Sequence, residues 1–424
     1  MTRLSLTLLC SMALCLPASA QDFFWDFEGP NGLDGWFRSD GMPLQTDAGF
    51  ASLTSVKVPS DNSPAPKFIY HEVPYDATAG YLASAWTRAL VDYSSDWSMH
   101  FAWLLPGPGG TQVYWGGNAI TGTTIADDWV VMEHADINTY PYGGTFCLFI
   151  IFSSVLPQDN WVDNVEVRIV PQNTPILSVE VMLGGPYDPV LQRMTPGLIT
   201  TGAFPLVEPY TALGYPQFGG GGGETFIPGL LDPTIWWPTV DWVRIELRSA
   251  VDPTVIVATR QALVDVFGSV RGPNGDMRFV FDVPLGEYYI AVRHRNHLAC
   301  MSAQPKTFGQ WNSLPGEGVS FEATTTATWG IDARKMVGPV AVLWPGDTNG
   351  DGTIKYAGAN NDRDPVLVAI GGTVPTNVLS DVYVRTDVNM DGDVKYVGAG
   401  NDRDPILQSI GGIVPTLTRV QQLP

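Results

Sequence analysis

Two acidic loops near the C-terminus carry the residues best suited to chemistry. The first reads Asp-Thr-Asn-Gly-Asp-Gly from position 347, and the second reads Asp-Val-Asn-Met-Asp-Gly from position 387. Oxygen-bearing side chains at the first, third and fifth places of a loop, followed by a glycine at the sharp turn, suit a Ca²⁺ ion. The predicted side-chain ligands are Asp347, Asn349, Asp351, Asp387, Asn389 and Asp391.

The remaining ligands depart from the EF-hand pattern that this spacing begins. A backbone carbonyl is expected next, from Thr353 in the first loop and from Asp393 in the second. The twelfth place, where a bidentate carboxylate should complete the coordination, holds Gly358 and Gly398. Because glycine has no side-chain oxygen, the closing acid must come from a later position.

Acids reappear a few residues later, in the sequence Asn-Asp-Arg-Asp-Pro of each copy. We predict that Asp362 and Asp402 close the two loops, because the intervening small residues let the chain swing back. Asp364 and Asp404 each precede a proline, which favours the first position of a helix, so we interpret them as N-caps. The spacing also allows the reverse assignment, with Asp364 and Asp404 as the closing ligands.

The second loop and the chain that follows it duplicate the first. Each copy continues through Lys-Tyr, a short apolar run ending in Ile-Gly-Gly, and Val-Pro-Thr, which indicates one structural unit used twice. The pair resembles the dockerin module of secreted polysaccharide-degrading systems. This resemblance covers residues 341–424 and implies two calcium loops, a short helix after each, and a cohesin-like or cell-surface protein as partner. Alternatively, the ions only stabilise a module too small to fold alone.

Residues 1–20 have the features of a secretory signal peptide. Arg3 precedes an apolar run, and Ala-Ser-Ala ends at position 20 before Gln21. We therefore expect a secreted protein whose mature chain begins near Gln21. Later segments are too short or too polar to span a membrane. The mature chain keeps Cys147 and Cys300, which are too far apart in sequence to indicate a disulfide framework.

Composition narrows the fold class and the partners. The 424 residues include 43 acids and 23 bases, a net charge of −20, which disfavours nucleic acid as a partner. The 45 glycines and 34 prolines, together with many aromatic residues, indicate short strands joined by turns. We predict an all-β chain of two antiparallel β-sandwich domains, of jelly-roll or immunoglobulin-like type, with helices only in the C-terminal module.

The first predicted domain spans residues 21–171. It opens with Asp-Phe-Glu-Gly followed by Gly-Trp, and it closes with Trp-Val-Asp-Asn-Val-Glu-Val from position 161. These two ends resemble jelly-roll carbohydrate-binding modules of the galactose-binding-like type. The resemblance implies that the first and last strands lie side by side and share a structural calcium held by Glu28 and Asp163. The alternative for Asp163 is an ordinary turn at a strand edge.

Aromatic side chains in loop-like sequence are candidates for sugar binding, because sugar rings stack their C–H faces on flat aromatic rings. Tyr114 and Trp115 precede Gly-Gly-Asn, and Tyr140 and Tyr142 flank a proline before Gly-Gly. We predict carbohydrate contacts from these four residues. The core interpretation is equally favoured, since aromatic residues in a sandwich are more often buried than functional.

The second predicted domain spans residues 172–340 and contains several strand-like segments separated by Gly- and Pro-rich turns. Its segments from 241 to 248 and from 288 to 298 resemble a module of large secreted bacterial proteins, often labelled hemagglutinin-like, that precedes such calcium repeats. On a strand, His294 and His297 would face opposite sides, which disfavours a shared metal ion. Arg293 and Arg295 are expected to pair with Glu246 or Asp241 on a neighbouring strand.

Two functional hypotheses follow. The first is a secreted, non-catalytic adhesin or scaffold component that binds calcium and carbohydrate. The second is an extracellular polysaccharide hydrolase or lyase that carries the C-terminal module as a docking tag. Neither sandwich contains a local pair of carboxylates, a nucleophile elbow or a Ser/His/Asp order, so we assign no catalytic residue and favour the first hypothesis.

Overall fold

The computed structural model describes residues 21–39, 41–50, 52–59, 67–89, 93–107, 110–114, 120–124, 128–136, 143–152, 159–310 and 317–424. The predicted signal peptide, residues 1–20, and the candidate sugar contacts Trp115, Tyr140 and Tyr142 lie outside these residues. Strands dominate the described chain and its helices are short, which confirms the predicted all-β fold class. The expectation that helices occur only in the C-terminal module is wrong, because a single helical turn at Gly197–Thr200 and a 3-10 turn at Pro228–Leu231 lie outside that module.

Residues 21–171 form a two-sheet sandwich. Its strands are β1 (Gln21–Trp25), β2 (Trp36–Arg38), β3 (Gln45–Asp47), β4 (Ser55–Pro59), β5 (Lys67–Glu72), β6 (Ala79–Ala89), β7 (Tyr93–Gly107), β8 (Gly110–Tyr114), β9 (Ile120–Thr124), β10 (Trp129–Asp136), β11 (Thr145–Phe152) and β12 (Asp159–Pro171).

The described strands of this region pair into two antiparallel sheets of six strands each. Sheet A has the order β10-β6-β12-β4-β3 with β1 also on β12, and sheet B has the order β2-β5-β11-β7-β8 with β9 also on β7. Strand β1 runs antiparallel to β12, from Gln21 opposite Ile169 to Trp25 opposite Val165. The first and last strands therefore lie side by side, as the jelly-roll resemblance implies.

Alternation along the strands builds the core between the two sheets. On β11, Phe146, Leu148 and Ile150 point into this core, while Cys147 and Phe149 belong to a separate cluster on the opposite face of sheet B. This period of two is what an antiparallel strand with two different faces requires. Sheet B therefore carries apolar residues on both of its faces.

Residues 172–340 form a second β-region. Its elements are β13 (Ile176–Glu180), β14 (Met182–Leu183), β15 (Tyr187–Asp188), β16 (Arg193–Met194), α1 (Gly197–Thr200), a 3-10 turn (Pro228–Leu231), β17 (Thr239–Ser249), β18 (Ile256–Asp265), β19 (Val270–Arg271), β20 (Phe279–Val280), β21 (Gly286–Arg293), β22 (Cys300–Met301), β23 (Lys306–Phe308), β24 (Glu317–Ser320), β25 (Arg334–Val337) and β26 (Val340–Leu343).

The central sheet of the second region is antiparallel, in the order β19-β18-β17-β21-β22 with β23 also on β21. Two three-stranded sheets, β20-β13-β24 and β14-β26-β25, each contain one parallel pairing. Strands β15 and β16 form a further antiparallel pair. Strand β26 extends past position 340, so the second region contributes a strand that crosses the predicted domain boundary.

The second region covers part of the outer face of sheet A. Phe50 stacks on Trp86 with ring centroids 3.8 Å apart, and Trp86 lies 5.1 Å from the ring of Trp237. The indole N–H of Trp86 donates a hydrogen bond to the carbonyl of Asn274 at 3.0 Å. A side chain at Gly275, where φ is 90°, would collide with the Trp86 ring. The two β-regions therefore share one apolar cluster across their junction.

The C-terminal residues form a small module with two helices of seven residues each. Its elements are β27 (Thr353–Lys355), α2 (Arg363–Ala369), β28 (Val378–Leu379), β29 (Val394–Lys395), α3 (Arg403–Ser409) and β30 (Thr418–Val420). Strand β27 pairs with β30, and β28 pairs with β29.

The two copies of the repeat supply matching residues to the module core. Buried pairs at equivalent positions include Ile354 with Val394, Val366 with Ile406 and Ile370 with Ile410. Leu298 and Trp344, from outside the repeats, complete the same cluster. The module core is therefore continuous with the second β-region. Among the described residues, no helix is long and apolar enough to cross a membrane.

Candidate metal centre and carbohydrate face

The first acidic loop is shaped by hydrogen bonds from its own backbone to its acidic and amide side chains. Gly352 N–H donates to Asp347 Oδ2 at 3.1 Å, Asp351 N–H to Asn349 Oδ1 at 2.8 Å, and Thr353 N–H to Asp351 Oδ1 at 2.8 Å. Gly352 has a φ of 78°, which explains the glycine at this turn. The backbone thereby curls around the side chains at places one, three and five.

The second loop repeats this geometry. Gly392 N–H donates to Asp387 Oδ2 at 3.1 Å, Asp391 N–H to Asn389 Oδ1 at 3.0 Å, and Asp393 N–H to Asp391 Oδ1 at 3.0 Å. The φ of Gly392 is 87°. The sequence duplication is thus a duplication of three-dimensional structure at the predicted ligands.

The structure brings Asp362 back onto the first loop. Its side chain is fully buried, and its Oδ1 accepts from Thr348 N–H at 2.9 Å while its Oδ2 accepts from Lys355 N–H at 2.8 Å. Asp402 makes the same two contacts in the second loop: its Oδ1 accepts from Val388 N–H at 2.6 Å, and its Oδ2 accepts from Lys395 N–H at 2.8 Å. The displaced acids therefore span the start and the end of their loops.

Asp364 and Asp404 are not N-caps, so our interpretation of them is wrong. Helix α2 begins at Arg363, so Asp362 occupies the N-cap position and Asp364 lies in the first turn. Asn361 Oδ1 accepts from Asp364 N–H at 2.9 Å, and Asn361 Nδ2 donates to Asp364 Oδ2 at 2.8 Å. The helix begins two residues before the proline, because the first helical turn tolerates a missing N–H at any of its positions. Asp364 faces solvent, which favours Asp362 over Asp364 as the closing acid.

The first acid of each loop keeps one buried oxygen without a partner. Asp347 is 6 % exposed and Asp387 is 0 % exposed, and in the described structure the Oδ1 atom of each accepts no hydrogen bond. A buried, unpaired carboxylate oxygen is costly, since its lost hydration is not replaced. A cation placed at these two oxygens would remove that cost.

Burial also changes the acidity of the loop carboxyls. It raises the pKa of Asp362 to about 7, and the nearby Asp347 adds to the rise. Burial likewise raises the pKa of Asp402 to about 7, with Asp387 contributing through repulsion. Acids that are buried next to one another resist simultaneous ionisation unless a positive charge lies between them. The carboxyls of each loop therefore fit a cation.

The donor set indicates a hard cation rather than a transition metal. Within the described residues, no group of three or more His, Cys, Asp or Glu side chains lies close enough together to hold a metal ion, and this includes the three acids of each loop. The donors predicted for each loop are three carboxylates, an Asn amide and one backbone carbonyl, all of them oxygen atoms. Such mixed oxygen ligands suit Ca²⁺ in size and number. The residues present therefore fit the calcium ion predicted from the spacing.

Glu28 and Asp163, the implied ligands of a structural calcium, both hold the segment from 50 to 54. Asp163 Oδ2 accepts from Phe50 N–H at 2.7 Å and from Ser52 Oγ at 2.6 Å, and Glu28 Oε1 accepts from Thr54 N–H at 2.7 Å. Burial raises the pKa of Asp163 to about 6, and Glu28 adds to the rise. The two acids are neighbours, and both accept hydrogen bonds from this one stretch of the chain.

Of the four predicted sugar contacts, Tyr114 is the one that the structure describes. It ends strand β8 opposite Trp103 and is 45 % exposed. Trp115, Tyr140 and Tyr142 lie outside the described residues, so their roles stay predictions.

A row of rings that the sequence pattern does not single out crosses the outer face of sheet B. Phe37, Tyr70, Phe149 and His100 occupy facing positions on four adjacent strands. Phe37 stacks on Tyr70 with centroids 5.4 Å apart, and Tyr70 stacks on Phe149 at 5.3 Å. Phe37 is 54 % exposed, whereas Phe149 is buried. The row therefore offers a flat aromatic surface at its Phe37 end.

His294 and His297 meet, contrary to our expectation that they face opposite sides. Strand β21 ends at Arg293, so the strand alternation no longer applies, and the two Nδ1 atoms lie 2.8 Å apart. His294 Nε2 bonds Asp241 at 2.9 Å, and His297 Nε2 accepts from Gly185 N–H at 2.9 Å. Because every ring nitrogen has a protein partner, this pair is structural.

The expected ion pairs of the same segment are confirmed. Arg293 lies 2.8 Å from Glu246, and Arg295 lies 3.0 Å from Asp241. Tyr383, from the C-terminal module, also donates to Asp241 at 2.7 Å.

Comparisons with solved structures find likenesses that cover about a third of the chain. "Family 16 Carbohydrate Binding Module-2" is 14 % identical with a TM-score of 0.25, over 32 % of this chain and 91 % of that one. The "CBM22-1 xylan-binding domain" of Paenibacillus barcinonensis is 16 % identical with a TM-score of 0.28, over 35 % of this chain and 94 % of that one. Likeness at this level assigns neither a ligand nor an activity. No family model matches the chain, and no curated protein does.

Proposed function

We propose that this chain is a secreted calcium-binding protein whose two C-terminal loops each hold one Ca²⁺ ion. The observation that carries the proposal is the unpartnered, buried Oδ1 atom of Asp347 and of Asp387, at the first ligand place of both loops. The same unmet oxygen at the same place of both loops favours a bound cation over an accident of packing.

In this proposal, each loop coordinates its ion through four side chains and one backbone carbonyl. In the first loop these are Asp347, Asn349, Asp351 and Asp362, with the Thr353 carbonyl. The second loop uses the equivalent residues Asp387, Asn389, Asp391 and Asp402, with the Asp393 carbonyl. The bound ion supplies positive charge among acids that otherwise repel one another. The same chemistry would hold whether the module docks to a cohesin-like or cell-surface protein or only stabilises the chain.

Thermal unfolding of the full chain tests this proposal. Free calcium at a hundred times the dissociation constant should add about 2.7 kcal/mol of stability per site, because the ion binds only the folded state. Calcium should therefore raise the unfolding midpoint, and a chelator should lower it again. Magnesium at the same concentration serves as the control, since the flexible, many-ligand loops suit the larger ion. Identical midpoints with calcium and chelator would contradict the proposal.

Carbohydrate binding by the first region is the second function that we propose, and the ring row on sheet B favours it. Phe37 presents an exposed ring, and Tyr70 continues the surface toward the sheet centre. Flat rings of this kind stack on the C–H faces of sugars, and they contribute buried apolar area to binding. Because the second region covers part of sheet A, sheet B is the better placed face for a polysaccharide chain.

Affinity electrophoresis of the full chain in gels containing xylan, cellulose derivatives or pectin tests this second function. We expect at least one of these gels to slow the migration of the wild-type protein. Phe37→Ala should migrate faster in that gel, because the substitution removes the exposed end of the ring row. Phe24→Ala is the matched control, because Phe24 is also exposed, at 45 %, but lies on β1 of sheet A. Equal mobility of wild type and Phe37→Ala in every gel would argue against binding on sheet B.

A further inference from the structure

One residue outside the C-terminal module contacts both calcium loops. Asn296, which is fully buried, accepts through its backbone oxygen from Gly346 N–H at 2.9 Å and from Asp347 N–H at 3.1 Å. Its side-chain Nδ2 donates to the carbonyl of Asp387 at 2.6 Å and to that of Arg385 at 3.1 Å. Asn296 therefore holds the backbone of the first ligand in each loop.

The orientation of the Asn296 amide is fixed by its neighbour. His297 Nε2 accepts a hydrogen bond from Gly185 N–H, so the ring proton of the neutral imidazole is on Nδ1. That Nδ1 lies 2.8 Å from Asn296 Oδ1, and the imidazole therefore donates to the amide oxygen. The amide nitrogen consequently faces the two carbonyls at the start of the second loop.

The short strands of the module do not provide an alternative connection between the loops. Strand β27, which follows the first loop, pairs with β30, and β29, which follows the second, pairs with β28. Among the described strands, β27 and β29 are not paired with each other. The two loops thus lack the ladder that would transmit a change from one to the other directly.

The neighbouring Arg295 adds to the rigidity of this connection. Arg295 donates to the carbonyl of Val384, just before the second loop, and its guanidinium lies over the ring of Tyr383 at 4.2 Å. Asp241 bonds both Arg295 and Tyr383. The segment around Asn296 is therefore anchored in the central sheet of the second region, on β17.

We propose that Asn296 is a positioning residue that couples the two calcium loops, so that the ions bind with positive cooperativity. This inference rests on the proposed calcium function. An ion that orders Asp347 fixes the Asn296 backbone, and the Asn296 amide then holds the Asp387 carbonyl in the geometry that the second loop needs. Coupling must be reciprocal, so each loop should favour the other by the same factor.

Calcium titrations of the full chain by calorimetry test the coupling. In the wild-type background, Asp351→Ala should remove the first ion and weaken the second site by about tenfold, within the usual range for linked sites. Asp391→Ala should weaken the first site by the same factor. In an Asn296→Ala background, both intact sites should bind more weakly, and the loss of one loop should no longer affect the other. Asn377→Ala, the same substitution at the end of the first repeat, is the control and should leave the coupling unchanged.

Each result distinguishes the inference from the proposed function. No calcium heat in the wild type would refute calcium binding itself. Two ions that bind independently in the wild type would overturn the coupling but keep the calcium function. Unchanged coupling in Asn296→Ala would overturn the role of this residue. If Asn296→Ala fails to fold, the reciprocal comparison of Asp351→Ala with Asp391→Ala still decides whether the loops are linked.

Discussion

At the scale of single residues, the carboxyls of the C-terminal module divide into two classes. Asp362 is buried and accepts two backbone hydrogen bonds from its loop, whereas Asp364 is exposed and bonds Asn361 and Arg363 at the start of a helix. Burial raises the pKa of Asp362, while hydrogen bonds to Asn361 and Arg363 lower that of Asp364. Two acids separated by one residue thus have different chemistry.

This difference predicts opposite outcomes for one conservative substitution. Asp362→Asn should weaken calcium binding at the first loop by at least tenfold, about 1.4 kcal/mol, because a charged ligand becomes neutral. Asp364→Asn, the matched control, should change the affinity little, since this side chain faces solvent. Calorimetric titration of the full-length variants gives both values. A loss of affinity in Asp364→Asn alone would instead assign the closing role to Asp364.

Local patterns allowed part of the candidate site to be predicted from the sequence. The spacing of Asp347, Asn349 and Asp351 reflects hydrogen bonds within a few residues, so it can be recognised without the fold. The contact between Asn296 and Asp387 joins distant parts of the chain, and no short pattern encodes it. His294 and His297 come into contact because β21 ends at Arg293. The alternation of residues along the strand does not predict where that strand ends.

At the scale of secondary-structure elements, the junction between the two β-regions depends on aromatic packing. The rings of Phe50 and Trp86 lie nearly parallel, and both belong to the apolar cluster of the second region. Alternation along β6 predicts which residues face away from the sandwich core, but it does not reveal that another region covers them. The ring row of sheet B was likewise not predicted, because it combines single residues from four strands.

The junction predicts a large effect of removing one ring. Phe50→Ala should lower the free energy of unfolding by about 3–5 kcal/mol, since a buried aromatic side chain leaves a cavity. Phe24→Ala, at an exposed position of sheet A, should cost less than about 1 kcal/mol. Urea unfolding at equilibrium in saturating calcium measures both. Equal, small losses of unfolding free energy in both variants would show that the junction does not depend on the contact between Phe50 and Trp86.

The polar part of the same junction predicts a pH dependence. Burial raises the pKa of Glu166 to about 7, Arg168 opposes the rise, and Asp276 and Asp22 add to it. Because the pKa is higher in the folded state, protonated Glu166 stabilises the fold. This contribution is complete below about pH 4.5, the unfolded value, and is lost as the pH rises through 7.

In the wild type, the free energy of unfolding should therefore fall between pH 5 and pH 8. Glu166→Gln should make this fall smaller, because glutamine does not titrate. The exposed Glu287→Gln is the control and should retain the wild-type slope. The free energy of unfolding from urea titrations at several pH values provides the comparison. A slope in Glu166→Gln as steep as that of the wild type would place the titrating group elsewhere.

At the scale of the whole molecule, the C-terminal module is continuous with the second region. Leu298 and Trp344 lie in the module core, Met390 of the second loop lies in the core of the second region, and Asn296 bonds both loops. A dockerin-like tag would be expected to melt alone when calcium is removed. The shared cores predict that the second region responds as well.

Hydrogen exchange of the full chain, with calcium and with chelator, tests this continuity. Chelation should speed exchange in residues 345–424 and also at Ala299, because its N–H donates to the side chain of Gln421, whose own N–H donates to the Gly352 carbonyl in the first loop. Strand β11 (Thr145–Phe152), in sheet B of the first region, is the internal control and should keep its protection. Faster exchange confined to residues 345–424 would show that the module behaves as an independent tag.

The central claim is that two ions bind, one at each loop. Calorimetric titration of calcium into the full chain, after removal of metal ions, tests it most directly. We expect measurable heat with a stoichiometry of two at the C-terminal module, reduced by one in Asp351→Ala and by one in Asp391→Ala. A third ion, unaffected by these substitutions, would belong to Glu28 and Asp163. The absence of calcium heat, or a stoichiometry unchanged by both substitutions, would contradict the account.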